Sequence, residues 1–427
     1  MKLRVFKFGG ASVRDAEGIR NITKIVRNAL QQGTRLACVV SATGKTTNAL
    51  EHILKTWLKA PEAGLRALQE LAAHHVQIAR DLLKDPAPAI REIESIQERI
   101  AQGLAHPSGV LFDALYDQVV SEGERMATAL VSAYWQSEAL PHSLLDARQL
   151  IRTNPTWREG EVLWEPTREA LRASGARLWE QNPGQVLLTQ GFIGGGPHGE
   201  SVTLGREGSD YSAALIAAGL EAEDVVIWKD VAGVYNADPK VHPGAVLFSR
   251  LSYDDALELA CYGATIIHPK TIFPLKSSGI PLLVKSFQYP EAPGTRIDNN
   301  RTLALVPALI QKPRQALLQI RTKNGEFLNE NHLATIFQCA RQSRLKVNAL
   351  HHTALEINLC VEDDLHHIDE FLKALAMDFS ITTRRKLELI TLIHPSPTLT
   401  ENVLGSRKPL LEQSNHRVMR FVAEAVN

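Results

Sequence analysis

The feature that most constrains the fold of this 427-residue chain is an alternation of short apolar runs with longer stretches of helical periodicity. Val5–Phe8 and Arg35–Val40 have the composition of buried strands, and Asp15–Leu30 between them places apolar residues three and four positions apart. Two parallel strands need a crossover connection, and this stretch is long enough to supply it. The segment therefore predicts a parallel strand–helix–strand unit.

The same alternation resumes near residue 143 and continues to about residue 285. The predicted elements are strands at Ser143–Leu145, Gln185–Thr189, Asp224–Trp228 and Pro281–Lys285, helices at Ser209–Leu220 and Tyr253–Tyr262, and a glycine-rich loop at Gly191–Gly199. Such alternation is typical of a mostly parallel sheet that helices cover on both faces. We therefore predict an α/β fold, with a mostly parallel sheet sandwiched by helices, for residues 1–300.

Residues 46 to about 135 depart from this alternation. They are rich in Ala, Leu, Glu, Gln and Arg, and prolines such as Pro61 and Pro107 interrupt them. The composition predicts four or five helices, inserted into the α/β domain and packed beside its sheet.

A segment rich in proline, asparagine and polar residues, Pro290–Pro313, is the predicted domain boundary. Beyond it the pattern predicts a β-α-β-β-α-β order, from a first strand at Ala316–Ile320 to two last strands within Ile381–Ile393. This is the order of a ferredoxin-like α+β domain, so residues 301–427 are predicted to form a second domain. About thirty residues remain after that order is complete, and they end in the apolar stretch Val418–Val426.

The charge balance and the cysteine pattern exclude several classes of protein. Lysine plus arginine and aspartate plus glutamate both number 47, so no nucleic acid or anionic membrane is expected as a partner. No apolar run approaches the roughly 20 residues that span a bilayer, and the N-terminus lacks a signal-peptide pattern, which favours a cytoplasmic protein. Cys38 and Cys261 lie in apolar surroundings that predict buried thiols. Neither the cysteines nor the histidine pairs show the spacing of a protein-bound metal site.

The first predicted strand ends in Lys7-Phe8-Gly9-Gly10-Ala11-Ser12, a sequence suited to anionic oxygens. The two glycines let backbone N–H groups approach a ligand closely, and the ammonium group of Lys7 supplies charge. A strand-to-turn glycine pair beside a surface lysine is the alternative interpretation.

Two further polar motifs lie at the start and near the end of the helical segment. Ser41 and Thr47 flank a Gly-Lys-Thr sequence, but Val39 stands where a Walker A loop needs glycine, which excludes that loop. The two hydroxyls are candidate hydrogen-bond donors to a ligand, or simple helix caps. Ser121-Glu122-Gly123-Glu124 places a glycine inside a predicted helix. It indicates either a close backbone approach with Glu124 facing an ammonium group, or a solvated charged face.

The stretch Gln190–Tyr211 carries the densest set of candidate residues. Its sequence Leu204-Gly205-Arg206-Glu207-Gly208-Ser209-Asp210 opens a predicted helix, and Arg206 can bind a carboxylate through two parallel hydrogen bonds. Ser209 as an N-cap and Asp210 in the first turn are explained by capping alone, whereas an arginine among glycines is not.

The segment Trp228–Lys240 follows a predicted strand, at the sheet edge where nucleotides bind to parallel sheets. Tyr235 is placed to flank a base or ribose, and Lys240 to reach a phosphate. Asp238-Pro239 is otherwise an ordinary turn.

Taken together, these motifs resemble those of the aspartokinases, within the amino-acid kinase fold. The matching sequences, in family order over about residues 1–300, are Lys7–Ser12, Ser121–Glu124, Arg152–Asn154, Gln190–Gly194, Leu204–Asp210, Trp228–Lys240 and Tyr262–Pro269. Each motif is weak alone, but seven in order are specific. The C-terminal pattern looks like the ACT regulatory domain that such enzymes carry.

The resemblance implies transfer of the γ-phosphoryl group of ATP, with Mg²⁺, to the β-carboxylate of L-aspartate. The products would be 4-phospho-L-aspartate and ADP, at the first step towards lysine, threonine and methionine. It implies a nucleotide site that includes Lys7, Phe8, Gly9, Gly10, Ser12, Asp230, Tyr235 and Lys240. Asp210 would orient the catalytic lysine and the Mg²⁺-bound nucleotide.

The resemblance also implies how aspartate is bound. Arg206 would bind its α-carboxylate and Glu124 its α-ammonium group, with Ser41, Thr47 and Ser209 assisting.

Three positions differ from the common family pattern. Glu207 stands where glycine is frequent, Lys229 where threonine is frequent, and Thr265, in the nucleotide pocket, where many members have a phosphate-neutralising lysine. Our hypothesis is that Lys229 supplies the missing charge and is a catalytic residue together with Lys7 and Asp210. Lys270 is the next candidate.

The ACT-like pattern implies control by an amino-acid effector such as lysine or threonine, and assembly into at least a homodimer. The tail forms part of an extra ACT unit, and the sequence leaves open whether it completes one. Two alternatives to an aspartate kinase remain at this point. One is another member of the amino-acid kinases, acting on glutamate, acetylglutamate or a nucleotide, and the other is a catalytically impaired amino-acid sensor.

Overall fold

The computed structural model describes residues 2–105, 111–263, 266–300, 306–405 and 407–425. The described chain divides into two compact units. The first comprises residues up to 234 together with 247–261 and 266–300, and the second comprises 235–246, 262–263 and the residues from 306 onward. The predicted division between 300 and 301 stays a prediction.

The described residues of the first unit form ten strands. They are β1 (Leu3–Phe8), β2 (Arg35–Val40), β3 (His142–Leu145), β4 (Val186–Gln190), β5 (Ile193–Gly195), β6 (Ser201–Thr203), β7 (Asp224–Lys229), β8 (Arg250–Ser252), β9 (Leu282–Ser286) and β10 (Thr295–Asp298). Eight of them form one sheet in the order β3-β4-β2-β1-β7-β9-β10-β8. All neighbours in this sheet are parallel except β9 and β10, so the predicted mostly parallel sheet is confirmed.

Eleven helices begin in the described part of this unit. They are α1 (Ala16–Gln31), α2 (Thr46–Trp57), α3 (Pro61–Leu82), α4 (Ala87–Ala105), α5 (Phe112–Val120), α6 (Glu122–Ser137), α7 (Ala147–Leu150), α8 (Trp164–Gln181), α9 (Gly208–Gly219), α10 (Tyr253–Tyr262) and α11 (Pro269–Ser278). Helices α2 to α6 are the predicted insertion of four or five helices.

Helices cover both faces of this sheet. Phe6 and Phe8 of β1 point to one face and pack in a core with residues of α1, α3, α4 and α6, among them the fully buried Trp135. Because successive strand residues point to opposite faces, Val5 and Lys7 face the other side, where α9 packs against the sheet. The first turn of α9 is thereby brought to the carboxyl end of β1.

The second unit is built on a six-stranded antiparallel sheet in the order β12-β13-β11-β14-β16-β15. Its elements are β11 (Ala308–Thr322), α12 (Glu330–Gln342), β12 (Val347–His352), β13 (Ile357–Glu362), α13 (Leu365–Leu375), β14 (Phe379–Ile393), α14 (Pro397–Leu404), β15 (Leu411–Ser414) and β16 (Val418–Glu424). The first six elements have the predicted β-α-β-β-α-β order. The tail adds one helix and two strands, and the strands join the same sheet.

The predicted boundary segment, Pro290–Pro313, contains β10 of the first unit and the start of β11 of the second, so the chain passes from one unit to the other within it. Several predictions of local structure are wrong. Ile381–Ile393 lies within the single strand β14 instead of forming two strands, and the predicted glycine loop at Gly191–Gly199 is largely the β5–β6 hairpin. Cys38 is buried as predicted, but Cys261 is exposed near the end of α10. Within the described residues, no helix is both long and apolar enough to cross a membrane.

Candidate active site

The candidate site lies where β1, β2 and β7 end at one edge of the large sheet. Phe8 pairs with Val40 of β2 on one side and with Trp228 of β7 on the other. Because the three strands are parallel, the residues that follow them emerge together. Gly9, Ser41 and Lys229 therefore begin or border three adjacent loops.

At this edge the carboxylate of Asp210 lies between two ammonium groups. Lys7 Nζ is 2.6 Å from Asp210 Oδ1, and Lys229 Nζ is 3.1 Å from Asp210 Oδ2. Asp210 is fully buried and Lys7 is 6% exposed. Burial by itself would raise the pKa of Asp210, but the charges of Lys7 and Lys229 outweigh it and lower the pKa to about 2. The carboxylate is therefore ionised at every physiological pH.

Lys229 has a second carboxylate within ion-pair distance. Glu207 Oε2 lies 3.7 Å from Lys229 Nζ, and the Glu207 side chain is about one-third exposed. Burial lowers the pKa of Lys229, whereas Asp210 and Glu207 raise it, and the net shift is upward. Two lysines and two acidic residues thus form one cluster. From the sequence, Glu207 was identified only as a departure from the family pattern, and its ion pair with Lys229 was missed.

Gly10, the second glycine after β1, is required by a close approach of two loops. A Cβ atom on Gly10 would lie 2.7 Å from the carbonyl oxygen of Gly44 and 2.8 Å from that of Ala42. The backbone N–H of Gly44 donates to the carbonyl oxygen of Gly10 at 3.0 Å. Any larger side chain at Gly10 would separate the loops that follow β1 and β2.

The neighbours of this glycine pair in the sequence face the protein interior. The Phe8 side chain is fully buried and stacks on Trp228 with ring centroids 6.3 Å apart. Ser12 is also buried, and its hydroxyl lies 3.5 Å from the carbonyl oxygen of Trp228. Both side chains therefore pack in the interior beneath the loop that follows β1. A bound ligand can contact the backbone of Phe8 and Ser12 more readily than their side chains.

Glu124 reaches the same region from the helical insertion. The backbone N–H of Ala42 donates to Glu124 Oε1 at 3.1 Å, while Oε2 is buried without a hydrogen-bond partner. Burial raises the pKa of Glu124 to about 8, and the N–H of Ala42 and the charge of Lys7 counteract it only in part. A cationic group beside the free oxygen would satisfy it.

Gly123 explains how Glu124 comes so close. A Cβ atom on Gly123 would lie 3.1 Å from Thr46 Cγ2 and 3.2 Å from Ala42 Cβ. The glycine therefore lets α6 approach the loop after β2. This agrees with the close backbone approach, which was one of the two interpretations of the sequence. Ser41 and Thr47, which border this loop, are both partly exposed.

The Gly-Arg-Glu-Gly-Ser-Asp segment is not capped as predicted. Helix α9 begins at Gly208 with Glu207 as its N-cap, and no side chain caps it, so the prediction of Ser209 as a cap is wrong. Ser209 is instead buried against Gly191, where a Cβ atom would lie 2.6 Å from Ser209 Cβ. Arg206 is exposed.

A second basic residue lies beside Arg206. Lys270 Nζ would lie 3.5 Å from a Cβ atom on Gly205. Burial lowers the pKa of His268, and the charges of Lys270 and Arg206 lower it further. Arg206 and Lys270 therefore form a positive region at the start of α9.

Four predicted site residues remain to be described. Asp230 is exposed immediately after Lys229. Tyr235 and Lys240 belong to the second unit, where their neighbour Asn236 donates to the carbonyl oxygen of Pro307 at 2.9 Å. Thr265 lies outside the described residues. The roles given to these four residues stay predictions.

Comparison with known proteins gives the family. Residues 2–286 match the model of the amino acid kinase family. Over 364 residues the chain is 32% identical to lysine-sensitive aspartokinase 3 of Escherichia coli (strain K12), and this alignment covers 84% of the chain and 78% of that protein. The chain belongs to the amino acid kinase family and, within it, to the aspartokinases.

Solved aspartokinase structures extend the similarity to the second unit. Escherichia coli aspartokinase III in complex with lysine and aspartate (T-state) aligns with a TM-score of 0.83, and its complex with aspartate and ADP (R-state) with 0.82. In both cases the identity is 28%, and the alignment covers 99% of this chain and 96% of that one. The family resemblance and the predicted fold class are thus confirmed.

Some aspartokinases are longer proteins. The chain is 30% identical to the chloroplastic bifunctional aspartokinase/homoserine dehydrogenase 1 of Zea mays over 74% of its own length, but it spans 35% of that protein.

The burial of Glu124 predicts how the stability of this aspartokinase depends on pH. The pKa of the side chain is near 4.5 without the fold and about 8 within it. The unfolded chain therefore releases the proton first, and the free energy of unfolding falls as the pH rises through this window. The expected slope from this group is up to about 1.4 kcal/mol per pH unit. Glu124→Gln cannot ionise, so its stability relative to the wild type should grow from about pH 5 to about pH 8 and then level off.

Urea unfolding of both proteins at several pH values in this range measures the difference directly. Glu138→Gln, which changes a partly exposed glutamate at the end of α6, is the matched control and should give a difference that varies little with pH. A flat difference for Glu124→Gln as well would contradict the burial of an acid with a raised pKa.

Proposed function

We propose that this chain transfers the γ-phosphoryl group of ATP to the β-carboxylate of L-aspartate. The observation that carries the proposal is the cluster of Lys7, Asp210 and Lys229 beside the glycine loop at the carboxyl edge of the parallel sheet. Family membership supports it, and so does the similarity to an aspartokinase whose complexes contain aspartate and ADP. Mg²⁺ enters with ATP as part of that substrate.

The arrangement suits a reaction in which two anions must meet. The side chain of free aspartate has a pKa of roughly 4, so the nucleophile is ionised at neutral pH and needs no general base. Phosphoryl transfer then requires mainly positioning and charge neutralisation. Lys7 and Lys229 supply two fixed positive charges, and the backbone N–H groups of Gly9 and Gly10 supply donors that need no reorganisation.

Asp210 acts in this scheme by holding the two lysines. Its carboxylate is already paired on both oxygens, and its low pKa keeps it charged. We assign it the orientation of the catalytic lysines instead of direct proton transfer. Lys229, on the strand end next to Lys7, supplies the charge that many aspartokinases carry at the position of Thr265.

In this proposal the protein recognises aspartate by the charges of its α-carboxylate and α-ammonium groups. Arg206 binds the α-carboxylate, and the unpaired oxygen of Glu124 accepts the α-ammonium group, with Ser41, Thr47 and Ser209 nearby. Because Glu124 has a raised pKa without a ligand, binding of the ammonium group favours its ionised form. Aspartate binding should therefore release a proton near neutral pH.

The second unit is the proposed regulatory part. Its β-α-β-β-α-β core has the order of an ACT domain, and the related Escherichia coli enzyme has a solved complex with lysine. We propose an amino-acid effector, lysine or threonine, for this unit. Assembly into at least a homodimer remains part of the proposal.

Acceptor specificity tests the function most simply. The purified chain is incubated with MgATP and hydroxylamine, which converts an acyl phosphate into a coloured hydroxamate. We expect product with L-aspartate and little with L-glutamate or N-acetyl-L-glutamate. A stronger signal with either of the other acceptors would indicate a different amino-acid kinase, and no product with any acceptor would favour an amino-acid sensor.

Arg206→Ala tests how aspartate is bound. Loss of a charge-assisted, two-point hydrogen bond of about 1.5–3 kcal/mol should raise the KM for aspartate by about tenfold or more, and the KM for ATP by less than about twofold. Arg168→Ala, which removes an arginine of α8 paired with Glu165, is the matched control and should change neither constant. Equal increases in both KM values for Arg206→Ala would argue against the assigned role.

A further inference from the structure

Glu207 has a backbone conformation that glutamate rarely adopts. Its φ is +53° and its ψ is 27°, in the left-handed region, immediately before the first residue of α9. Glycine adopts this region without a steric penalty, whereas a side chain with a Cβ atom is strained there. Aspartokinases frequently have glycine at this position, so this chain retains a strained residue where an unstrained one would serve the backbone better.

The side chain of Glu207 has a partner that accounts for its presence. Its Oε2 atom lies 3.7 Å from Lys229 Nζ, and the other carboxylate on that ammonium group is Asp210, at 3.1 Å. Asp210 is fully buried, while Glu207 is about one-third exposed. The ammonium group of Lys229 therefore has two carboxylates within ion-pair distance, one buried and one partly exposed.

The two lysines of the cluster differ in this respect. Lys7 is nearly fully buried and, among the described residues, pairs with Asp210, so its surroundings already restrict it. The side chain of Lys229 is 18% exposed, at the end of a strand, and a lysine side chain has four rotatable bonds. The ion pair with Glu207 therefore restricts the Lys229 side chain more than its partial burial does.

We propose that Glu207 is a positioning residue that holds the ammonium group of Lys229 against Asp210, where it neutralises the phosphates of the nucleotide. This inference rests on the proposed function in one respect, the contact of Lys229 with nucleotide phosphate. Glu207 and Lys229 are both departures from the common family pattern, and the proposal makes them one functional pair. Neither substitution would then be neutral without the other.

A double-mutant cycle tests this pairing. The variants are Glu207→Gln, which keeps the size and the backbone strain but removes the charge, Lys229→Met, and the combination of the two. We expect Glu207→Gln to raise the KM for ATP about threefold to fivefold, in line with a partly exposed ion pair, and to leave the KM for aspartate within about twofold. In the Lys229→Met background the same substitution should have no further effect on the KM for ATP.

Glu221 offers a matched control for the backbone strain. It also has a left-handed φ, +54°, and its carboxylate pairs with Arg172 on the surface. Glu207→Gly and Glu221→Gly relieve the same kind of strain, so their melting temperatures should shift by similar amounts. Only Glu207→Gly should raise the KM for ATP.

The outcomes separate this inference from the proposed function. If Lys229→Met has the ATP kinetics of the wild type, the role of Lys229 as second cation is wrong, and the inference is wrong with it. If Lys229→Met is impaired but Glu207→Gln is not, the proposed function stands and the inference is overturned. An effect of Glu207→Gln that persists fully in the Lys229→Met background overturns it as well, because Glu207 would then act without Lys229.

Discussion

The ion pairs of Asp210 with Lys7 and Lys229 are the interaction on which the candidate site depends. A carboxylate that is fully removed from water is stable only if cations and hydrogen bonds replace its hydration, and here an ammonium group faces each oxygen. The three residues come from β1, β7 and α9, so this one cluster fixes a helix start against two neighbouring strand ends. It also leaves two positive charges at the sheet edge where parallel α/β folds bind phosphates.

Close backbone approaches complete the site around this cluster. At Gly10 and Gly123 an added Cβ atom would lie between 2.7 and 3.1 Å from its nearest neighbour, so these glycines are what allow the loops after β1 and β2 and the helix α6 to meet. The result is a cationic side formed by Lys7 and Lys229 and an acidic acceptor at Glu124. In the proposed function, the ammonium group of the amino acid binds at Glu124 and its side-chain carboxylate meets the phosphate beside the two lysines.

Much of this could be predicted from sequence because local pattern determined it. Arg35–Val40 and Tyr253–Tyr262 were predicted with the bounds that the structure has, since an unbroken apolar run and a helical period identify buried strands and helices directly. Lys7 and Glu124 were identified as candidates because each lies beside glycines, whereas the role of Asp210 came only from the family resemblance, because capping alone explained its position. The order of the motifs then supplied the family.

The features that were predicted wrongly or missed depend on contacts between residues that are distant in the sequence. The extent of β11 and the continuity of β14 are set by their pairing with each other, which no local window contains. Whether Cys261 is buried depends on which face of α10 is covered. The ion pair of Glu207 with Lys229 joins two residues 22 positions apart, and a strained glutamate before a helix gives no sequence signal except its departure from glycine.

The most direct test of the central claim is the turnover of Asp210→Asn, with aspartate and MgATP saturating and the hydroxamate as product. The substitution keeps the shape of the side chain and removes the charge that holds Lys7 and Lys229 together. If Asp210 holds both lysines in place, kcat should fall by about a hundredfold or more, while the circular dichroism spectrum remains that of a folded protein. A folded Asp210→Asn variant with a kcat within about threefold of the wild type would contradict the claim that this carboxylate organises the site.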